Sequence, residues 1–266
     1  MHWIILTILI LASATCGDVQ AQPVKKSIDE LMSALRQKPD DLQAIAQLAK
    51  DGKVDARVIP FLKNMFLSCT RDETPKFPLM RTSQLLALSL FRLGANEQPF
   101  FDELAHYMRL ALVANPPDPW IYNAEGKEDV NRRNPEFEAW CADRDGDFQA
   151  CFDRVINYVV SDIGSLVASN DKRSIPLLRE ALHAKNATFV ITAATGLAAL
   201  NDTASMPLIE SACEMLPSTQ ARLVVVQMSQ YLETPEMDRL IDRFVQDPKI
   251  RDSVKKFRQT RKAKVH

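Results

Sequence analysis

The sequence predicts an all-α protein, arranged mainly as a short right-handed solenoid of antiparallel helix pairs with one irregular insertion. Three observations support this prediction. The chain has only 7 glycines in 266 residues, although β-sheet proteins use glycine at turns and bulges. Its many Leu, Ala, Lys, Glu and Gln residues favour helices, and its apolar residues recur at helical spacing. Finally, one segment recurs at an offset of 31 residues, as expected of a stacked repeat.

Residues 1–21 are typical of a signal peptide. The apolar run at residues 3–12 is shorter than the roughly 20 residues that span a bilayer. Small residues at 19 and 21 then predict cleavage before Gln22. We therefore expect an exported protein, periplasmic or secreted. The segment ending at Cys16 resembles a lipoprotein box, so a lipid anchor on Cys16 is the minor alternative.

The mature part opens with a predicted helix over residues 27–37. Ser27 and Glu30 have the spacing of a capping box, in which each side chain binds the other residue's backbone N–H. This helix is expected to close one end of the stack. Fainter copies of the repeat follow at residues 45–62 and 85–101.

The repeat is clearest in the second half of the chain. Residues 166–182 (LVASNDKRSIPLLREAL) align without gaps to residues 197–213 (LAALNDTASMPLIESAC). A third copy begins at Met228, where Met237 keeps the position of Met206 and Asp238 replaces the proline. We expect Leu177 and Leu208 to be equivalent buried residues.

Each repeat is predicted to form two helices. The Asn-Asp turn supplies a capping side chain for the second helix, and the following proline lies in that helix's first turn, where a missing N–H costs least. The short link makes the two helices antiparallel. Because one pair cannot bury its apolar faces alone, neighbouring pairs must stack.

These turn-Asp and apolar-Pro-Leu patterns resemble HEAT repeats, a family of two-helix solenoids. The resemblance covers residues 40–243 apart from an interruption, and it implies a repeat domain over residues 22–248. It also implies a concave surface formed by the second helices, which in this family mostly binds other proteins. A minority of the family are enzymes, and fold analogy cannot choose between these roles.

The interruption spans about residues 115–150 and begins with three prolines that exclude a helix interior. It is rich in aromatic residues, and Trp120, Tyr122 and Trp140 are candidate partner-binding residues beside the groove. The alternative is a degraded repeat whose aromatic residues only fill space. Cys141 and Cys151 share this stretch and are a possible disulfide, since export permits disulfides.

Three alternating acids, Asp143, Asp145 and Asp147, are weak candidates for a calcium site. Their spacing resembles the start of an EF-hand loop. However, Phe148 replaces the glycine of the sharp turn, and Arg154 replaces the bidentate Glu. A solvated turn is the alternative, so we leave the metal unassigned.

No catalytic constellation is recognisable. Among the residues of the repeat domain, His106 and His183 are the two histidines, and neither has another His or Cys at metal-ligand spacing. No pattern for a phosphate loop or another cofactor is present. We therefore expect a non-catalytic binding or scaffolding module for a protein or peptide. The alternative is an enzyme or enzyme accessory protein with a site between the 115–150 insertion and the second helices.

The C-terminal tail, residues 249–266, carries eight Lys or Arg and one Asp, so its charge of +7 contrasts with about −8 elsewhere. Ile250, Val254 and Phe257 have helical spacing and are expected to dock on the last repeat. The remaining basic residues could contact an anionic surface. Because export separates the protein from DNA and RNA, no nucleic-acid partner is expected.

Overall fold

A computed structural model describes residues 26–69, 82–122, 128–143 and 147–265. The predicted signal peptide and Cys16 lie outside these ranges. The described chain is mostly helical, which confirms the all-α class, with a two-stranded hairpin as the departure from it. Within these ranges, no helix is both long and apolar enough to cross a membrane.

Fourteen α-helices and two strands are described, and we number them in chain order. The N-terminal helices are α1 (Ile28–Gln37), α2 (Leu42–Asp51), α3 (Val58–Ser68), α4 (Thr82–Arg92) and α5 (Gln98–Ala114). The middle contains β1 (Trp120–Tyr122), β2 (Glu128–Arg133), α6 (Pro135–Ala142), α7 (Phe148–Phe152) and α8 (Tyr158–Ala168). The C-terminal helices are α9 (Ile175–Ala181), α10 (Ala187–Ala199), α11 (Met206–Met215), α12 (Ser218–Met228), α13 (Pro235–Phe244) and α14 (Pro248–Val265).

The opening helix has the predicted cap. The Glu30 backbone N–H donates to Ser27 Oγ at 3.3 Å, and the Ser27 N–H donates to Glu30 Oε2 at 2.6 Å. These bonds satisfy donors that the first turn of a helix leaves without partners. On its other face α1 buries Leu31 and Leu35 against the core.

Two sets of helices organise the packing. We call α2, α4, α8, α10 and α12 the first helices, and each of them contacts the next in that order. We call α3, α5, α9, α11 and α13 the second helices. Among these, α5 contacts α9, and α11 contacts α13. The core between the two sets is continuous and apolar.

The turns before α9 and α11 share one backbone geometry, but the predicted aspartate cap forms only in the first of them, because Asp202 makes no side-chain cap bond. Asn170 and Asn201 both adopt the left-handed conformation, with φ of 53° and 56°, which Asn tolerates better than most residues. Asp171 then accepts the backbone N–H of Arg173 at 3.0 Å, and a proline lies in the first turn of each helix. The repeated motif therefore produces the same chain reversal twice.

Arginine side chains connect each turn with its neighbours. The Arg173 guanidinium donates to Gln98 Oε1 of α5 at 2.6 Å, while it also binds Asp171. Arg179 of α9 donates to both carboxylate oxygens of Asp202, at 3.0 and 2.9 Å, in the turn before α11. Both bonds come from Nη2, and Arg179 Nε donates to Ser205 Oγ at 2.7 Å. The Arg179 side chain therefore connects α9 with the turn before α11.

The expected equivalence of Leu177 and Leu208 is wrong in part, since Leu177 is 1% exposed and Leu208 is 38% exposed. Leu177 lies on the side of α9 that faces α5, because Glu180 one turn later is 3.5 Å from Arg109 of α5. At the aligned position, α11 leaves Leu208 partly at the surface although the two turns share one motif.

The insertion contains more regular structure than the sequence predicted. Strands β1 and β2 pair antiparallel, with Trp120 opposite Arg133, and α6 follows directly. Helix α7 then continues through one π-helical turn, Asp153–Asn157, into α8. The segment between α5 and α8 therefore contains regular secondary structure in its described residues.

The basic tail is an 18-residue helix, α14. Val254 is buried as expected, but Phe257 is 43% exposed. Arg258 instead takes a buried position and pairs with Asp238 of α13. The helix is thus attached to α13 through charge as well as apolar packing.

The difference between the two leucines can be tested by truncation. Leu177→Ala should lower the free energy of unfolding by roughly 2–5 kcal/mol, as expected for a fully buried leucine. Leu208→Ala should lower the free energy of unfolding by less than about 1 kcal/mol. The exposed control Lys172→Ala should change it by no more than about 0.5 kcal/mol. Denaturant titration measures all three, and equal losses for the two leucines would contradict the packing described.

Candidate binding surface

The start of the insertion is hydrogen-bonded to the turn before α10. Asn115 ends that helix in the left-handed conformation with φ of 44°. Its Oδ1 accepts the backbone N–H of Lys185 at 2.9 Å, and Asn186 Nδ2 donates to the Pro117 carbonyl at 3.0 Å. These bonds attach the proline-rich segment to the turn before α10.

Asp118 extends this attachment to three elements. Its Oδ1 accepts the Ala187 N–H at 2.8 Å, in the first turn of α10, where a carboxylate is favoured by the helix dipole. Its Oδ2 is 3.4 Å from Gln220 Nε2 of α12. Its carbonyl accepts Asn134 Nδ2 at 2.7 Å, and Asn134 in turn caps α6. The hairpin and α6 are therefore held against α10 and α12.

An aromatic cluster forms the centre of the insertion. Phe148 lies 5.4 Å from the rings of both Trp120 and Phe137, in edge-on arrangements, which are favourable for aromatic pairs. The Arg133 guanidinium sits 4.3 Å from the centre of the Phe148 ring. Phe137 is fully buried, and the cluster is continuous with the main apolar core.

The three candidate anchor residues differ in their surroundings. Trp120 and Trp140 are both partly buried against the core. Trp140 stacks on Phe137 with a centroid distance of 6.1 Å. Tyr122 ends β1, and its side chain lies outside the described part. Since each tryptophan packs on one side and retains exposure, both sequence interpretations, anchor and space-filler, remain predictions.

Cys141 of α6 and Cys151 of α7 form a disulfide, with Cα atoms 5.9 Å apart. The other two described cysteines are free. Burial raises the pKa of the Cys213 thiol to about 12, and burial together with Glu103 raises the pKa of Cys69. Because the thiolate is the reactive form, both free thiols are weak nucleophiles.

The three candidate calcium ligands are not brought together in the described residues. Asp147 caps α7 and accepts the Gln149 N–H at 3.1 Å. Asp143 is exposed, and Asp145 lies outside the described part. Across the ranges the structure describes, no cluster of three or more His, Cys, Asp or Glu side chains is placed to hold a metal ion.

The exposed face of the second helices combines side chains of both charges with exposed apolar residues such as Val113 and Met215. On α5 it presents Asp102, His106 and Arg109, which lie on one side of the helix. His183, just after α9, is also exposed. His106 and His183 each lie at the same distance in sequence after a proline, Pro99 and Pro176 respectively. Since α5 and α9 contact each other, the two histidines occupy equivalent positions on neighbouring second helices.

The opposite face, on the first helices, has almost no charge. Helix α10 has no charged residue, and α12 has only Arg222. Val160, Ile191 and Tyr231 line a shallow apolar cavity of about 90 Å³ there. Pockets for small ligands usually measure roughly 300–1,000 Å³, so we assign no ligand to this cavity.

A buried polar pair was missed by the sequence reasoning. Gln84 of α4 and Asp162 of α8 are both fully buried, and Gln84 Nε2 donates to Asp162 Oδ2 at 2.7 Å. The available signal was Asp162 itself, a single acid inside the apolar run VVSDIGSLV. A carboxyl group in such a run is rarely buried without a partner.

No known protein family, no curated protein and no solved structure matches this chain. Its function is therefore argued from its own residues.

The disulfide provides a test of the insertion's rigidity. Replacing Cys141 and Cys151 together with Ser should lower the free energy of unfolding by roughly 2–3 kcal/mol, because the bridge closes a short loop in the unfolded chain. Denaturant titration with and without reductant measures this loss. Reductant should destabilise the native protein and leave the double variant unchanged; a native protein insensitive to reductant would contradict the bridge.

Proposed function

We propose that this chain is an exported, non-catalytic binding or scaffolding module, built as a short HEAT-like solenoid of antiparallel helix pairs. The observation that carries the proposal is the unbroken order of contacts among the first helices, α2 to α12. The links from Arg173 to Gln98 and from Arg179 to Asp202 support it, because each connects one helix pair with the next. A stack of this kind has one extended face for partners.

The second-helix face is the proposed binding surface. It combines Asp102, Arg109 and Glu180 with the exposed apolar residues Val113 and Met215, which are each 85% exposed. Mixed charges with scattered apolar residues suit a protein or peptide partner, since non-obligate protein interfaces have this composition. We also propose that the basic helix α14 contacts an anionic surface.

The insertion is proposed to supply anchors at the edge of this face. Asn115 and Asp118 attach it to α10 and α12, and the disulfide holds α6 against α7. A rigid tryptophan loses little conformational entropy on binding, which is why such residues dominate interface energetics. We assign this role to Trp120 and Trp140. Tyr122 remains a candidate on the basis of the sequence alone.

One observation favours the alternative, an enzyme or accessory protein with a site between the insertion and the second helices. His106 and His183 occupy equivalent positions beside neighbouring helices, and His is the commonest acid–base residue of active sites. Loss of an activity in both His106→Ala and His183→Ala, with stability unchanged, would favour this alternative over the binding module.

Export can be tested on the protein from its native host. Cleavage before Gln22 should give a mature N-terminus at that residue in the exported fraction, because the small residues at 19 and 21 fit the cleavage site. Intact mass measurement and N-terminal peptide mapping read out the terminus. A lipid on Cys16 would indicate the anchored alternative, and soluble cytosolic protein that retains Met1 would contradict export.

The binding face can be tested by placing a photo-crosslinking amino acid at His106 or His183 in the native host. Both side chains are exposed, so the replacement should leave the fold intact. Both positions should capture the same protein or peptide, identified by mass spectrometry. The matched control is Lys50 at the end of α2, which is exposed on a first helix.

Trp120→Ala is the second variant in this experiment. If Trp120 is an anchor, the crosslink at His106 should weaken while the melting temperature stays unchanged. A lower melting temperature with the crosslink intact would make the residue a space-filler. Equal capture of one partner at Lys50 and His106 would contradict the assignment of the second-helix face.

A further inference from the structure

The contact between α4 and α8 contains a carboxyl group with no solvent-exposed surface. Asp162 has no exposed surface, and neither has Gln84, its hydrogen-bond partner. The two residues are 78 positions apart in the sequence, on either side of the insertion. This pair therefore lies where the N-terminal helices meet the C-terminal ones.

The pair leaves one oxygen on each side chain without a hydrogen bond. Gln84 Nε2 donates to Asp162 Oδ2 at 2.7 Å, while Gln84 Oε1 and Asp162 Oδ1 are buried and have no partner. Both remaining atoms are acceptors, so an ionised Asp162 offers nothing to satisfy Gln84 Oε1. A buried polar atom without a partner costs about 1–3 kcal/mol. A proton on Oδ1 would turn it into a donor and satisfy both atoms.

The surrounding charges do not compensate an ionised Asp162. Burial raises the pKa of this carboxyl well above its usual range, whereas the Gln84 hydrogen bond and Arg92 lower it, and Glu103 raises it. Arg92 ends α4, and burial lowers the pKa of its guanidinium. Its Nε donates to Ser165 Oγ at 3.4 Å instead of to Asp162. Glu103 of α5 is buried and repels a negative charge. Helix α10, the other first helix packed against α8, has no titratable side chain.

We propose that Asp162 is a neutral carboxylic acid in the folded protein and that its Oδ1–H donates to Gln84 Oε1. Together with the bond from Gln84 Nε2 to Oδ2, this closes a ring of two hydrogen bonds across the α4–α8 contact. The proton comes from solvent when the chain folds, and it returns to solvent when the contact opens. The α4–α8 contact therefore depends on this proton, and we call the Asp162–Gln84 pair the proton-dependent joint.

The joint makes the free energy of unfolding depend on pH. Because the folded pKa of Asp162 lies above the unfolded value, near 3.9, the folded state binds the extra proton. The contribution of the joint is fully present below the unfolded pKa, and it is lost as the pH rises through the folded pKa. Rising pH should therefore loosen α4 from α8.

Asp162→Asn tests this directly, because an amide mimics the neutral acid. Asn can donate from Nδ2 to Gln84 Oε1 and accept from Gln84 Nε2 at every pH. The melting temperature of the variant should match the native protein near pH 4 and exceed it increasingly as the pH rises. The matched control is Asp252→Asn on the exposed side of α14, whose difference from the native protein should not grow in this way.

The opposite slope would overturn the proposal. If Asp162 is ionised and paired with Arg92, the Asn variant should be less stable, and its deficit should widen with rising pH. Infrared difference spectra provide a readout independent of folding: the native protein at neutral pH should show the carbonyl band of a protonated carboxyl, and Asp162→Asn should lack it. A native spectrum without that band would also contradict the neutral acid.

Discussion

The attachment of the proline-rich segment to the N-terminus of α10 is the constraint on which the middle of the molecule depends. Asn115 and Asp118 hold the end of α5 beside the start of α10 through bonds of 2.9 and 2.8 Å. The insertion must therefore leave and rejoin the stack along one edge. Helix α8 is consequently free to pack against α4 as the next first helix, although more than fifty residues separate the two in sequence.

The α4–α8 contact combines apolar packing with a buried carboxyl group, that of Asp162. Replacement of such a polar pair by apolar residues is often neutral or stabilising, so stability alone gives no reason to keep it. A ring of paired hydrogen bonds has a fixed geometry, however, and it specifies how α4 and α8 align. Burial is the main cause of the raised pKa of Asp162, and Arg92 and Glu103 act on that pKa in opposite directions.

Local features of the fold were predictable because their causes are local. The Ser27–Glu30 cap, the left-handed Asn170 and Asn201 and the proline-started helices each depend on a few neighbouring residues. The exposure of Leu208 was not predictable, because the burial of a helix residue depends on contacts with other helices, which sequence alignment to Leu177 does not reveal. In the candidate site, the aromatic content indicated an ordered insertion. The hairpin and the Asp118 contacts involve distant segments, so sequence spacing alone could not reveal them.

The last helix has a consequence for how copies of this protein meet each other. A repeat stack that ends on an apolar helix face can add a second stack and grow into a filament, as any open-ended interface permits. Here α14 is attached to α13 through Val254 and the Arg258–Asp238 pair, and the segment from 249 onward has a charge of +7. Two molecules meeting by these ends would bring like charges together. The charge of the basic helix α14 therefore disfavours contact between two copies through this end.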